Sequence, residues 1–220
     1  MGTAVITGAN RGIGLELARA LVKRGDDVIA VVRAASPELK ALKAEIFDGI
    51  DVSDDASSAR LSAAIGKRQI DLLINNAGVL SVEGLDKLDM GAIRRQFEVN
   101  TLGPLRVTAA LLPNLSRGAK VGIVTSRMGS IADNGSGGYY GYRISKAGVN
   151  MVGATLARDL ASRGITVILL HPGFVKTRMT GGRGTVEPKD AAAGLLARLD
   201  AATPAVSGHF FHADGSELPW

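Results

Sequence analysis

Thr3-Ala4-Val5-Ile6-Thr7-Gly8-Ala9-Asn10-Arg11-Gly12-Ile13-Gly14 is a short apolar run that breaks into a glycine-rich turn. Residues 12 to 24, which follow, carry their apolar side chains at helical spacing. Strand, glycine turn and helix together begin a βαβ unit, and that unit sets the reading of the rest of the chain. Glycines at such a turn let the backbone approach a pyrophosphate, whose charge is met by free N–H groups and by the positive end of the helix dipole. Gly8, Asn10, Arg11, Gly12, Ile13 and Gly14 are therefore candidate phosphate-binding residues. The spacing is not a literal G-x-G-x-x-G, because three residues separate the first two glycines and one separates the last two. A turn that needs glycine only for tight packing would look the same locally, so the reading requires support from elsewhere in the chain.

Outward from this turn, apolar runs of strand length alternate with segments of helical period. Strands are expected near residues 3 to 8, 27 to 32, 46 to 50, 71 to 75, 119 to 125, 165 to 170 and 207 to 211. Helices are expected near 12 to 24, 36 to 44, 54 to 66, 90 to 115, 142 to 163 and 188 to 200. Leu72-Leu73-Ile74 and Val167-Ile168-Leu169-Leu170 show no polar alternation, as befits strands covered on both faces. The expectation is an α/β protein: a single-domain Rossmann fold over residues 1 to 220, with a doubly wound, mostly parallel seven-stranded sheet and helices on both faces. Two Gly-rich stretches, at 134 to 138 and 180 to 184, follow strand ends and read as loops around a site.

Composition narrows the class. With 46% hydrophobic residues the chain is too apolar to be disordered, and without cysteine it is no disulfide scaffold. No run of about 18 apolar residues is present, so no membrane partner is expected. The first residues lack a basic region and a cleavage site, which points to the cytoplasm. The net charge of +5 comes from scattered cations, Lys23-Arg24, Lys67-Arg68 and Arg94-Arg95, beside acidic residues, so no nucleic-acid partner is expected. His171, His209 and His212 do not have a metal-ligand spacing, and Gly135-Ser136-Gly137 lacks the elbow of a serine hydrolase.

The end of the second expected strand bears on the choice of nicotinamide cofactor. An acidic residue there would bond the ribose 2′-hydroxyl and repel a 2′-phosphate, but the position is Arg33, and no Asp or Glu occurs from Val28 to Pro37. Arg11 is a second cation within reach, and guanidinium binds phosphate in a bidentate fork. NADP(H) is therefore preferred over NAD(H).

Tyr142 and Lys146 stand four residues apart on an expected helix, hence on one face. A tyrosine exchanges protons poorly near neutrality, and a cation beside it favours the phenolate. Upstream, the strand Val121-Gly122-Ile123-Val124 ends in Thr125-Ser126, which puts the Ser126 hydroxyl at the edge of the sheet where ligands bind. Tyr139 and Tyr140 have no lysine four residues on and read as pocket wall or packing. Ser130 competes with Ser126, which is preferred because it directly ends a strand.

These motifs in this order resemble the short-chain dehydrogenase/reductase family: Thr7 to Gly14, Asp51, Asn75-Asn76-Ala77-Gly78, Asn100, Ser126, Tyr142 with Lys146, and Pro172-Gly173 followed by Thr177. The longer Gly-rich loop, Arg127-Met128-Gly129-Ser130-Ile131 and the closing Asp214 to Trp220 resemble the small sniffer-like or C-factor-like carbonyl-reductase branch. The resemblance implies an NADPH-dependent oxidoreductase that transfers hydride to ketones or aldehydes, reversibly. Tyr142 would be the general acid, Ser126 the hydrogen-bond donor to the substrate oxygen, and Lys146 a ribose ligand that lowers the Tyr142 pKa. Asn100 would hold a water beside Lys146. Asp51 and Val52 would meet the adenine, Asn76, Ala77 and Gly78 would line the groove, and Pro172, Gly173, Val175 and Thr177 would fix the carboxamide end. Asn75 would support the sheet. A homodimer through helices 90 to 115 and 142 to 163 is expected from the same resemblance, with monomers as the alternative. An NADP(H)-binding sensor whose output is partner binding is the competing function. The short link between Thr177 and Glu187 leaves little room for a lid, so the pocket should be open to hydrophobic carbonyls.

Overall fold

Seven parallel strands form one sheet in the order β3-β2-β1-β4-β5-β6-β7. A computed structural model describes residues 2 to 220. The strands are β1 (Thr3–Thr7), β2 (Asp27–Val31), β3 (Glu45–Phe47), β4 (Ile70–Asn75), β5 (Leu115–Val124), β6 (Thr166–His171) and β7 (Phe210–His212). Helices α1 (Gly12–Arg24), α2 (Pro37–Lys40), α3 (Asp55–Ile65), α4 (Met90–Phe97), α5 (Gly103–Leu111), α6 (Tyr140–Leu160) and α7 (Pro188–Ala201) make the crossovers. The strand order reverses between β1 and β4, so the two crossovers leaving them diverge and open a crevice at their C-terminal ends.

Each central strand feeds two cores. Ala4, Ile6, Ile74, Ile168 and Leu170 pack with Leu17, Leu21, Leu195 and Leu199 of α1 and α7. The alternate positions, Val5, Leu73, Val121 and Val167, pack with Leu61, Ile65, Val107, Leu111 and Val149 of α3, α5 and α6. Both faces are therefore dry, which is why these strands carry no polar alternation. Leu169 departs from the pair and joins Phe210 and Leu218 in a small third cluster.

The strands expected at 46 to 50 and 207 to 211 are the shorter Glu45–Phe47 and Phe210–His212, and three further expected elements differ in the structure. The helix expected from 90 to 115 is divided by a π-helical turn, Glu98–Leu102, and ends at Leu111. Pro104 has no N–H and its ring would strike the carbonyl four residues back, and the widened turn, with Gly103 N–H bonded to Glu98 O, accommodates it. The strand expected at 119 to 125 begins earlier, at Leu115, because Ser116 and the bulge opposite Ile70 to Leu72 keep the polar segment in the sheet. The helix expected at 36 to 44 is the single turn α2; Leu42 and Ala44 pack on the core from non-helical backbone. No helix among the described residues is long and apolar enough to cross a membrane.

Candidate active site

The glycine turn is welded to the end of β4. The Thr7 hydroxyl accepts from Asn76 N–H and Ala77 N–H, both at 3.1 Å, and the Asn76 amide donates to Thr7 O and Gly8 O. Gly14 is required by contact: a Cβ there would lie 2.3 Å from the Gly8 carbonyl oxygen. The Asn10 amide donates to Ala34 O, and Ser36 donates to Asn10 O at 2.7 Å, tying the turn to the segment after β2. The N-terminus of α1 has no side-chain cap and no acidic residue in its first turn, so its N–H groups and dipole are directed at the crevice. Asn75 is buried in the sheet and donates to the Thr108 hydroxyl at 3.1 Å.

A cleft of about 1160 Å³ runs along this crevice. Gly8, Asn10, Arg11, Gly12, Ile13 and Gly14 line it beside Arg33, Asp51 and Val52 at one end. Asn76, Ala77 and Gly78 form its floor, Ser126, Tyr142, Lys146, Pro172, Gly173 and Val175 line the other end, and Thr177 lies between the two, its methyl 3.3 Å from where a Gly12 Cβ would be. Arg33 and Asp51 face each other at 3.8 Å. Burial works against the Asp51 charge, but hydrogen bonds from the Ser53 hydroxyl and N–H, with Arg33 and Arg95 nearby, hold its pKa below the usual carboxylate value. Thr177 N–H donates to the Thr180 hydroxyl at 3.1 Å, which starts a short 3₁₀ turn, Arg178–Thr180, on the cleft wall.

Ser126, at the end of β5, accepts from Met128 N–H at 3.1 Å and starts the 3₁₀ turn Arg127–Gly129. Gly129 lets this turn lie against α6, since a Cβ there would be 2.6 Å from the backbone carbon of Lys146. Ser130 points elsewhere: it is buried and donates to the Trp220 carbonyl at 3.0 Å. Lys146 is buried, donates to Val124 O at 2.9 Å, and sits 5.7 Å from the Tyr142 ring centre. Burial lowers its pKa to about 8. Burial raises the Tyr142 phenol to about 12, partly opposed by hydrogen bonding with Ser126. The expected lowering of the tyrosine pKa by Lys146 is therefore not seen in the protein alone; desolvation of the phenolate dominates.

Asn100 is the one expected site residue that does not line the cleft. It lies buried in the π-turn, where its amide accepts from Val79 N–H at 2.8 Å and donates to Val79 O and to the Ser145 hydroxyl. Ser145 in turn donates to Tyr142 O. Asn100 thus braces the cleft floor against the first turn of α6. Arg127, Met128, Arg143, Phe174, Arg178 and Met179, none of which the sequence reading offered as a site residue, also line the cleft. Adjacency to Ser126, Tyr142 and Thr177 is the signal that could have found Arg127, Arg143 and Arg178.

Residues 2 to 187 match the family described as short chain dehydrogenase. The chain belongs to this family. It is an oxidoreductase of the short-chain dehydrogenase type. It is 45% identical over 226 residues, covering 100% of both chains, to the 1-hydroxy-2-glutathionyl-2-methyl-3-butene dehydrogenase of Rhodococcus sp. (strain AD45). It is 47% identical over 154 residues to the C-signal of Myxococcus xanthus, covering 69% of this chain and 93% of that one. Among solved structures it resembles the carbonyl reductase Sniffer of D. melanogaster, with a TM-score of 0.92, 26% identity and 100% coverage of both chains. It also resembles the NADPH-bound carbonyl reductase from chicken fatty liver, with a TM-score of 0.91, 29% identity and coverage of 99% and 98%. The resemblance to sniffer-like carbonyl reductases read from the sequence is thus borne out.

Proposed function

We propose that this short-chain dehydrogenase reduces ketones or aldehydes with NADPH, and oxidises the corresponding alcohols in reverse. The observation that carries the reading is the convergence of Ser126, Tyr142 and Lys146 on one end of the cleft, at the far end from Arg11 and Arg33. The residues present suit a phosphorylated dinucleotide. An uncapped helix N-terminus without a competing carboxylate accepts the pyrophosphate, and Arg11 and Arg33 supply cations for a 2′-phosphate. The NADPH-bound chicken carbonyl reductase supports the same choice.

Bound NADPH supplies the hydride. The protein's part is to hold the carbonyl oxygen and to deliver a proton to it. Ser126 hydrogen-bonds that oxygen, and the phenol of Tyr142, kept neutral by burial, gives it the proton as negative charge develops. The Lys146 ammonium, buried beneath the ring, favours the phenolate that remains. Gly78, the position of whose absent Cβ is 3.9 Å from Lys146 Nζ, leaves the ammonium accessible from the cleft floor. A cytoplasmic location and a dimer through the helices at 90 to 115 and 142 to 163 belong to the same proposal.

The test is Tyr142→Phe, with NADPH oxidation followed over a panel of aryl and alkyl ketones. Turnover is expected to fall by about 10³-fold while NADPH still binds. Wild-type rates in the variant would remove Tyr142 from the reaction. The similarity to C-signal favours one other reading, a cofactor-dependent signalling protein. Tight NADPH binding with no turnover on any carbonyl would select it.

A further inference from the structure

Resting on the reductase reading, we propose that the carbonyl substrate carries an anionic group, most simply a carboxylate, which Arg143 and Arg178 receive at the cleft rim. Three guanidinium groups reach the substrate end from three separate segments: Arg127 next to Ser126, Arg143 next to Tyr142, and Arg178 next to Thr177. Asp133 is the only carboxylate among the described residues lining that end, and it is already paired with Arg127. Besides the Lys146 ammonium beneath Tyr142, two guanidinium charges remain there without a paired carboxylate.

The Arg143 guanidinium is half-buried and touches only neutral acceptors: Gly137 O, Gly138 O, Met128 O and the Ser136 hydroxyl. Holding the Gly-rich loop in this way fixes the guanidinium beside Tyr142 without neutralising it. Arg178 stands on the 3₁₀ turn across the cleft, and its side chain makes no ion pair among the described residues. A cation fixed by carbonyls in a partly desolvated cleft attracts a carboxylate more strongly than an exposed lysine would, and a guanidinium can grip it with two hydrogen bonds. Met128, Phe174 and Met179 line the same cleft and supply apolar wall. The arrangement suits an apolar carbonyl body with a charged tail, a narrower class than the hydrophobic carbonyls expected from the sequence.

Arg178 has a rival assignment. The Thr177 methyl lies 3.3 Å from where a Gly12 Cβ would be, so the neighbouring arginine could serve the pyrophosphate instead. The experiment separates the two. Benzoylpropionic acid and its methyl ester share one ketone and differ by one charge, and both are assayed with NADPH at low salt and with about 0.5 M NaCl, which shortens electrostatic reach to a few ångströms. The acid is expected to exceed the ester at least tenfold in kcat/KM, with the advantage shrinking in salt. In Arg178→Gln and Arg143→Gln the acid-to-ester ratio should fall toward one. This ratio is insensitive to a general loss of activity if the loop held by Arg143 loosens. Equal rates for acid and ester in the wild type overturn the inference and leave the reductase reading standing, whereas turnover of neither compound nor of any neutral ketone, with NADPH bound, overturns both. A weaker NADPH Kd in Arg178→Gln with the ratio preserved assigns that arginine to the cofactor and overturns its part.

Discussion

The buried ammonium of Lys146 sets both a catalytic and a stability cost. Burial lowers its pKa from 10.5 to about 8, while the Tyr142 phenol is pushed up to about 12. In reduction, the phenol therefore stays protonated through the whole accessible range, and the cation beneath it is the group lost on the alkaline side. Carbonyl reduction is expected to hold from pH 6 to about 7.5 and to decline above about pH 8, measured as kcat/KM; a flat profile to pH 10 would contradict it. The same shift has a sign for folding. Between about pH 8 and 10.5 the unfolded chain binds the Lys146 proton more tightly than the folded one, so this group's penalty is full below pH 8 and is relieved as pH rises. Lys146→Met should accordingly raise unfolding free energy at pH 7 by about 1–2 kcal/mol, after allowing for the lost bond to Val124 O, while abolishing turnover; urea denaturation and the NADPH assay check the two halves. At this scale the residue types of the site were legible, because Tyr and Lys at helical spacing after a strand ending in serine is a chemical pattern. Their pKa values were not, because desolvation depends on what surrounds them in space.

The glycine turn and α1 were legible as elements because local chemistry decides them, whereas the segment from 90 to 111 was not. Its apolar period runs through without a break, and only Pro104 marks the π-turn that divides it. That turn presents Asn100 to Val79 on one side and Ser145 on the other, and Ser145 holds the carbonyl of Tyr142. Removing the amide strips partners from the Val79 N–H and carbonyl at once. Asn100→Ala is expected to cost about 2–4 kcal/mol in stability, from buried groups left unpaired, and to lower kcat more than it alters NADPH affinity. Asn100→Asp keeps the acceptor for Val79 N–H and should recover only part of the stability. If Asn100→Ala unfolds at the wild-type urea midpoint, the brace is not what holds the floor to α6. The strand β5 makes the complementary point: the sequence reading runs the preceding helix to residue 115 and begins the strand at 119, and it is pairing of Leu115 with Ile70 across the sheet that brings the strand's start forward.

At the scale of the molecule, the strand order and the two dry cores account for the long apolar runs of the strands, and among the apolar side chains left exposed some lie together on α6. Ile144 and Met151 are 49% and 68% exposed and, with Gly148 between them, lie on one side of α6 at spacings of four and three residues. Phe97 of α4 packs against that glycine, since a Cβ on Gly148 would lie 3.1 Å from its ring, and is itself 36% exposed. A monomer with this stripe in water gains nothing from it, whereas a two-fold axis across α6 would bury it against its own copy and make a four-helix contact from α4 and α6 of each subunit. Gly148 lets Phe97 and Thr101 lie close against α6 within the subunit, so that α4 and α6 share one surface. The sequence reading placed a dimer on the helices at 90 to 115 and 142 to 163 from family resemblance alone, and the exposed stripe is the part of that surface proposed to carry it. Sedimentation at micromolar concentration is expected to give twice the monomer mass, and Met151→Lys, which places a charge at the centre of the stripe, is expected to halve it. Because Tyr142 and Lys146 stand on the inner face of α6, the monomerised variant should keep NADPH binding and lose unfolding free energy in a concentration-dependent comparison with the wild type. A wild-type protein that sediments as a monomer at all concentrations would leave the stripe as plain surface.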